Sequence, residues 1–184
     1  MTTINFKTQL VTIGSWTILL LPKSESAKLP SRGLVLVEGT INGFHFQAPA
    51  EPDGKGSHWV KVEKTMLKGA KTDVGDMVTL AIEPSKEWPE PEVPVDLKKA
   101  LAGDSLAQEL WLDVTTKARW DWIRWIRSTK NPETRKIRIE KTFSKLKSGT
   151  RSPCCFNRSA CTEPSVSHNG VLLDPTQTKG KKRM

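Results

Sequence analysis

A proline-rich segment near the middle of the chain separates two parts of different composition. Residues 84–94 contain four prolines with acidic residues between them. Proline has a fixed φ and no backbone N–H, so this segment favours a semi-rigid linker over a helix or strand. Short apolar bursts typical of strands precede it, and longer helical patterns follow it. We therefore expect an α+β protein with a β part over residues 1–84, a linker over 85–95 and a helical part over 96–149.

The β part contains one strong turn signal. Asn42-Gly43 follows a β-rich run over residues 34–41 and precedes the apolar residues 44–46. This dipeptide suits a type I′ turn, which needs positive φ at both central positions. The pattern also predicts a hairpin over 4–21 that turns at Gly14-Ser15, strands over 58–64 and 77–82, and a helical turn over 65–70. Five or six short strands in this length predict a small β-barrel.

The second part carries signals for helix starts and ends. Asn131-Pro132-Glu133 combines a cap, a proline at the first helical position and an acid in the first turn, and Gly149 suits the end of that helix. The other predicted caps are Asp96 before residues 97–101, Asp104 before 105–112, and Thr115 or Thr116 before a helix to about residue 130. We expect a small all-α domain.

Two sets of residues carry a resemblance to known families. The first is Val37-Glu38-Gly39-Thr40-Ile41-Asn42-Gly43-Phe44, then residues 64–68 and Val74-Gly75-Asp76-Met77-Val78. The second is Val95-Asp96-Leu97, Ala100-Leu101, Trp125-Ile126, Glu133-Thr134-Arg135, Arg138-Ile139 and Leu146. The second set resembles the YdeI or OmpD-associated family, also labelled bacteriocin-protection proteins. The first resembles a domain of unknown function that is commonly fused ahead of it.

This resemblance implies a fold more than a chemistry. It implies that the first domain is a double-split β-barrel related to AbrB-type DNA-binding domains. It also implies a link to stress or to protection against antimicrobial peptides. The family has no established catalytic or ligand-binding residues to transfer. A chain of net charge +9 repels cationic peptides, so any protection is expected to be indirect.

Positive charge is concentrated in the second part of the chain. Residues 117–158 contain thirteen Lys or Arg and three acids, whereas residues 1–92 contain ten basic and eleven acidic residues. The imbalance favours an anionic partner, such as nucleic acid or an acidic protein surface. The alternative is that the cations are solvated and only keep the protein soluble.

Helical spacing arranges these cations beside aromatic residues. Six residues are candidate contacts for an anion or nucleic acid: Trp120, Arg124, Arg127, Arg138, Lys141 and Lys145. In this hypothesis the cations hold phosphates and Trp120 stacks on a base, as in proteins that bind single strands. The alternative is that Trp120 packs on a neighbouring element.

The last segment, residues 150–184, mixes Ser, Pro, Asn and Thr with basic residues, and we expect a flexible tail. Its metal-ligating side chains are Cys154, Cys155, Cys161 and His168. They are weak candidates for a zinc site, because their spacing matches no standard finger. Free thiols are the favoured interpretation. An odd number of clustered cysteines and no export signal indicate a cytoplasmic protein without a membrane span.

The sequence shows no catalytic motif. His45, His58, Asp53 and Asp76 are scattered, and the loop between Asp53 and His58 lacks a phosphate-binding pattern. We therefore expect a non-enzymatic cytoplasmic binding protein without a cofactor. The alternatives are a nucleic-acid-binding or regulatory protein and, third, an enzyme or metal-dependent protein with an unrecognised site. A homodimer stays open, since small barrels can pair by exchanging hairpins.

Overall fold

The computed structural model describes residues 3–153, 163–168 and 171–175. The chain divides into two compact units. The first runs to Glu87 and also includes residues 171–175, and the second begins at Trp88. The first unit is mainly an antiparallel sheet and the second is mainly helical, which confirms the predicted α+β class.

The described residues form nine strands and six helices. The strands are β1 (Ile4–Gln9), β2 (Val11–Ile13), β3 (Trp16–Leu20), β4 (Val35–Ile41), β5 (Phe44–Pro52), β6 (His58–Lys61), β7 (Met77–Ser85), β8 (Ser167–His168) and β9 (Val171–Leu172). The helices are α1 (Lys23–Ser26), α2 (Lys64–Gly69), α3 (Val95–Ala102), α4 (Ser105–Asp113), α5 (Thr116–Arg127) and α6 (Pro132–Lys147).

Strands β1 to β7 form one curled antiparallel sheet in the order β1-β7-β4-β5-β6-β3-β2. The curl brings β1 close to β3, where the Thr8 hydroxyl donates to the Leu20 carbonyl at 3.0 Å. The inner face buries Val37, Leu80 and Ile82, each at most 2% exposed. The sheet is thus a half-barrel that wraps around its own hydrophobic core.

The predicted turn at Asn42-Gly43 is confirmed. Ile41 pairs with Phe44 across it, and φ is 50° at Asn42 and 84° at Gly43. The Asn42 side chain also accepts from the Thr79 backbone N–H at 2.9 Å. The turn therefore fixes the β4–β5 register and connects this hairpin to β7.

The hairpin turn predicted at Gly14-Ser15 is confirmed, but the prediction was wrong about the strand that begins at Ile4. The turn at Gly14-Ser15 joins β2 and β3, with Ile13 opposite Trp16. The preceding strand β1 instead pairs with β7, about seventy positions away in sequence, from Ile4 opposite Ile82 to Gln9 opposite Met77. Leu10 ends β1 by exchanging backbone hydrogen bonds with the 75–76 turn.

The proline-rich segment begins inside a strand. Pro84 lies inside β7 opposite Val37 of β4. Its position is tolerated because β1 pairs with β7 only as far as Ile82, so a sheet partner is missing on one side of Pro84. The proline therefore lies just beyond the end of the β1–β7 pairing, while β7 itself continues beside β4 to Ser85.

Helices α3 to α6 of the second unit pack around a core that contains three fully or nearly fully buried tryptophans, Trp111, Trp122 and Trp125. The predicted caps at Asp104 and Asn131 are confirmed, since their side chains accept backbone N–H groups of Ala107 and of residues 133 and 134. Thr115 rather than Thr116 caps α5.

The predicted cap at Asp96 was wrong. Helix α3 begins two residues earlier than predicted, at Val95, and Pro94 is its N-cap residue. Asp96 lies in the first turn, where its carboxylate accepts the Leu97 N–H and pairs with Arg135. In the part of the chain that the structure describes, no helix has both the length and the apolar character that crossing a membrane would require.

Candidate anion-binding surface

The sequence of α5 gives this helix a wide buried side. The Thr115 hydroxyl accepts from the Ala118 N–H at 3.1 Å and so begins the helix. Trp122 and Ile126 follow at helical spacing and are both 0% exposed. Trp125 is 6% exposed and lies at the edge of the buried side, next to α6. Trp125 therefore belongs to the hydrophobic core and also borders the basic surface.

The next helix, α6, presents cations along one flank. Ile139, Thr142 and Leu146 are buried. At 100° per residue, Arg138, Lys141 and Lys145 fall beside this buried stripe on the same flank, as predicted from sequence. Lys141 is exposed, and Arg138 and Lys145 are partly exposed.

These two helices meet at a shallow depression. Its volume is about 480 Å³, and it is lined by Trp125, Lys141, Ser144 and Lys145. Two lysines and one serine thus line it together with an aromatic residue. We call these four residues the lysine depression. It combines positive charge, a hydrogen-bond donor and apolar surface.

Arg138 borders the lysine depression and contacts Trp125. Its guanidinium lies 5.3 Å above the Trp125 ring and donates to the Trp125 carbonyl at 2.6 Å. It also donates to the Ser128 hydroxyl. Arg138 therefore stabilises the C-terminal end of α5, where the carbonyls lack helical partners. Its predicted contact with an anion stays a prediction.

The other predicted contacts lie in different surroundings. Trp120 packs against Trp88 with ring centroids 5.4 Å apart, and its indole N–H donates to the Pro89 carbonyl at 2.7 Å. This is the neighbour contact that the alternative interpretation described. Arg127 lies 3.9 Å from the Glu163 carboxylate, and Arg124 is partly exposed. The lysine depression thus contains two of the six predicted residues, Lys141 and Lys145, and borders a third, Arg138.

Acids from outside the basic stretch offset much of its charge. Between described residues, the ion pairs of this stretch include Lys117–Asp121, Arg119–Glu90, Arg127–Glu163, Arg135–Asp96, Lys147–Asp104 and Arg151–Asp113. Five of these six acids lie outside residues 117–158, so the local excess of ten charges counted in sequence overstates the field of the folded unit. Among the described residues, Lys130, Lys136 and Lys141 form no ion pair.

Sequence reasoning missed two structural arginines. Arg119 is 7% exposed, forms a two-point contact with Glu90 at 2.8 and 2.9 Å, and donates to the carbonyl of Val114 at 2.7 Å. Arg135 makes a similar two-point contact with Asp96 at 2.8 and 3.1 Å. This contact holds the pKa of Asp96 below its usual range. Both arginines connect segments far apart in sequence.

His58, one of the residues considered for catalysis, is buried beside a serine. The Ser26 hydroxyl lies 2.6 Å from His58 Nδ1, and His58 Nε2 lies 2.8 Å from the Gly33 carbonyl. A carbonyl only accepts, so Nε2 carries the proton and Ser26 donates to Nδ1. Ser26 and His58 are both 0% exposed, and burial lowers the pKa of His58. This serine–histidine pair is sealed from solvent and fastens α1 to the sheet.

The other candidates have structural or exposed positions. Asp53 accepts the N–H groups of Lys55 and Ser57 and so closes its own loop. Asp76 accepts the N–H of Asp73, and His45 is exposed on β5 as predicted. These carboxylates organise turns.

The zinc hypothesis rests mainly on residues outside the described ones. Cys154, Cys155 and Cys161 lie there, whereas His168 is exposed in β8. Within residues 3–153, 163–168 and 171–175, no three His, Cys, Asp or Glu side chains gather as a metal site. A site that includes the cysteines stays a prediction.

The residues that carry the resemblance have structural roles. A Cβ at Gly39 would lie 1.9 Å from the Ala81 carbonyl oxygen of β7, so the two strands require glycine there. The ring of Phe44, another motif residue, packs so close to Gly69 that a Cβ there would lie 2.2 Å from it. Asp96 and Arg135 pair with each other. These motif positions therefore specify the fold.

Comparison with family models agrees with the sequence patterns. Residues 90–149 match the family described as Bacteriocin-protection, YdeI or OmpD-Associated. Residues 6–82 match DUF1905, a domain of unknown function. The resemblance inferred from the residues is thereby confirmed, including the order of the two domains. No curated protein matches the chain.

Proposed function

We propose that this member of the YdeI or OmpD-associated family, with its N-terminal DUF1905 domain, is a non-enzymatic protein that binds an anionic partner in the cytoplasm. The lysine depression carries this proposal. Lys141 is exposed and forms no ion pair among the described residues, while Lys145 and Ser144 line the same depression. An ammonium group without a protein carboxylate is available to an external anion.

The second candidate is a nucleic-acid-binding or regulatory protein. Arg138, Lys141 and Lys145 lie at positions i, i+3 and i+7 of α6, so they form a row along one flank. Such a row suits repeated phosphates more than a single charge. Contacts with phosphates give affinity without sequence preference and make binding strongly dependent on salt.

A titration with labelled single- and double-stranded DNA and RNA at several salt concentrations tests both candidates. Lys141→Gln should weaken binding and reduce the slope of log affinity against log salt by about 1, the contribution of one phosphate contact. Lys136→Gln is the matched control, because Lys136 is exposed on the same helix without an ion pair but lies on the other flank. Equal effects of the two variants would count against the lysine depression.

The family's description motivates a further proposal, a role in protection against bacteriocins. The protein carries a net charge of +9, so direct capture of a cationic peptide is opposed by repulsion. We therefore propose an indirect route through the anionic partner. Cells lacking the protein should become more sensitive to such peptides, and Lys141→Gln should fail to restore resistance where Lys136→Gln restores it. If Lys141→Gln restored full resistance, protection would not depend on the lysine depression.

A further inference from the structure

We infer that the sheet unit carries a second anion-binding surface, on α2, which binds the phosphate backbone of a nucleic acid. Lys64 and Lys68 lie one turn apart on the same side of α2, and Lys71 follows directly after the helix. All three are exposed, and none forms an ion pair with another described residue. We call these residues the α2 lysine row. It shares no residue with the lysine depression, so this inference goes beyond the proposed function.

The backbone at Lys71 is a second, independent observation. Helix α2 ends in a Schellman motif, in which the Thr72 N–H donates to the Leu67 carbonyl at 3.0 Å and the Lys71 N–H donates to the Lys68 carbonyl at 3.2 Å. This motif requires a positive φ at position 71, and φ there is 53°. Glycine is the usual residue at such a position, because a residue with a Cβ is strained in the left-handed region.

The strain at Lys71 needs a reason other than the fold. A cation near the end of a helix gains only a small stabilisation from the helix carbonyls, and salt screens it. Lys68 already supplies a cation in the last turn of α2. Backbone strain of this kind is characteristic of functional sites. We therefore attribute the lysine at position 71 to the charge that it adds to the α2 lysine row.

The acids nearest in sequence have other contacts. Asp73 and Asp76 accept hydrogen bonds from groups of the 72–74 turn at 2.8 to 3.1 Å. Glu63 lies 3.7 Å from the Lys61 ammonium group. None of these carboxylates forms an ion pair with the α2 lysine row, so the three ammonium groups are available to an external anion.

Spacing and chemistry favour a phosphate backbone as this anion. Residues 64–71 span about 10 Å at the helical rise of about 1.5 Å per residue. Each strand of a duplex carries a phosphate about every 3.4 Å along its axis, so one strand can contact all three lysines. Lysine contacts phosphate as a point charge, whereas the planar fork that pairs with carboxylates belongs to arginine. The α2 lysine row contains no arginine.

Titration of the full chain with labelled oligothymidylate at several salt concentrations tests the inference. Lys68→Gln and Lys71→Gly should each reduce the slope of log affinity against log salt by about 1, the contribution of one phosphate contact. Lys23→Gln is the matched control, because Lys23 is also exposed without an ion pair among the described residues. It lies in α1, near the other end of β6, where the Leu21 N–H donates to the His58 carbonyl.

Urea denaturation of Lys71→Gly provides a second readout. Glycine relieves the strain at positive φ, so this variant should unfold at a higher urea concentration than the wild type while it binds more weakly. A lower urea midpoint for Lys71→Gly would overturn the inference, as would equal salt slopes for the Lys68, Lys71 and Lys23 variants. Equally tight binding of polyglutamate would overturn phosphate as the ligand.

The same titrations separate this surface from the lysine depression. If Lys71→Gly weakens binding and Lys141→Gln does not, the inference stands and the lysine depression fails as a binding site. If only Lys141→Gln weakens binding, the inference fails and the proposed function stands.

Discussion

The two units use their polar side chains in opposite ways. In the sheet unit, Ser26 and His58 hydrogen-bond to each other at 0% exposure and connect α1 to the sheet. In the helical unit, most of the polar side chains of the candidate surface are charged, and some of them, such as Lys141, are exposed to solvent. The difference teaches that a polar group's environment, rather than its residue type, separates structural from binding roles.

The same distinction divides the cations of the helical unit. Arg119 and Arg135 each hold a carboxylate by two contacts and donate to helix-end carbonyls. Lys141 forms no ion pair in the described part of the chain. Arginine suits the inner role because its planar fork makes several hydrogen bonds at once. The basic stretch therefore contains an inner set of cations that hold the fold together, such as Arg119 and Arg135. It also contains an outer set of exposed cations, and Lys141 is one that is available for binding.

Removing an inner arginine should have the largest effect. Arg119→Ala would leave the Val114 and Trp111 carbonyls without a donor that now lies at 2.7 and 3.1 Å. The loss of a hydrogen-bonded, buried charged group should lower the free energy of unfolding by about 3 kcal/mol, measured by urea denaturation.

Arg151→Ala is the matched control for this prediction. Arg151 also pairs with a carboxylate, Asp113, at 2.9 Å, but its side chain is 57% exposed. Exposed ion pairs contribute about 1 kcal/mol or less. If Arg119→Ala and Arg151→Ala lowered the free energy of unfolding by similar amounts, the distinction between inner and outer cations would be wrong.

Disrupting the sealed pair of the sheet unit should have an intermediate effect. Ser26→Ala removes the donor to His58 Nδ1 and leaves a buried nitrogen without its partner. Such a group costs about 1 to 2 kcal/mol, measurable as a lower urea midpoint. Ser24→Ala, at an exposed position of the same helix, should change stability by less than about 0.5 kcal/mol. A neutral outcome for Ser26→Ala would mean that the pair is not structural.

The same pair predicts a pH dependence. Burial lowers the pKa of His58 below 6.5, the nearby Arg32 disfavours its charged form, and Asp53 partly opposes this. The unfolded chain therefore binds the proton more readily, so the contribution of neutral His58 is present above pH 6.5 and decreases as pH falls below it. Unfolding free energies between pH 5 and 7 should show this slope in the wild type and a shallower one in His58→Gln. Parallel slopes would refute it.

Local signals predicted the parts of the fold that depend on nearby residues. Asn42-Gly43 specified its turn because positive φ is a property of those two residues, and Asp104 and Asn131 specified helix starts by the reach of short side chains. The β1–β7 pairing was missed because Ile4 and Ile82 carry no mutual signal in a single sequence.

The candidate surface shows the same limit. Helical spacing correctly placed Arg138, Lys141 and Lys145 on one flank of α6. It did not show that Arg138 is engaged by the end of α5, because that contact joins two helices. Nor did a charge count within a window find Glu90, which neutralises Arg119 from 29 positions away. Tertiary pairing decided which charges remain available.

The smallest expected effect concerns an outer lysine that does have a partner. Lys117 lies 2.9 Å from Asp121 at i,i+4 spacing, and its side chain is 42% exposed. Lys117→Ala should lower stability by only about 0.3 kcal/mol, and less at high salt, since exposed helix pairs are weak and screened. Thermal midpoints of this variant and of Lys141→Ala at low and high salt measure it. If Lys117→Ala lowered stability as much as Arg119→Ala, Lys117 would belong to the inner set. Burial of the side chain would then not be what separates structural cations from outer ones.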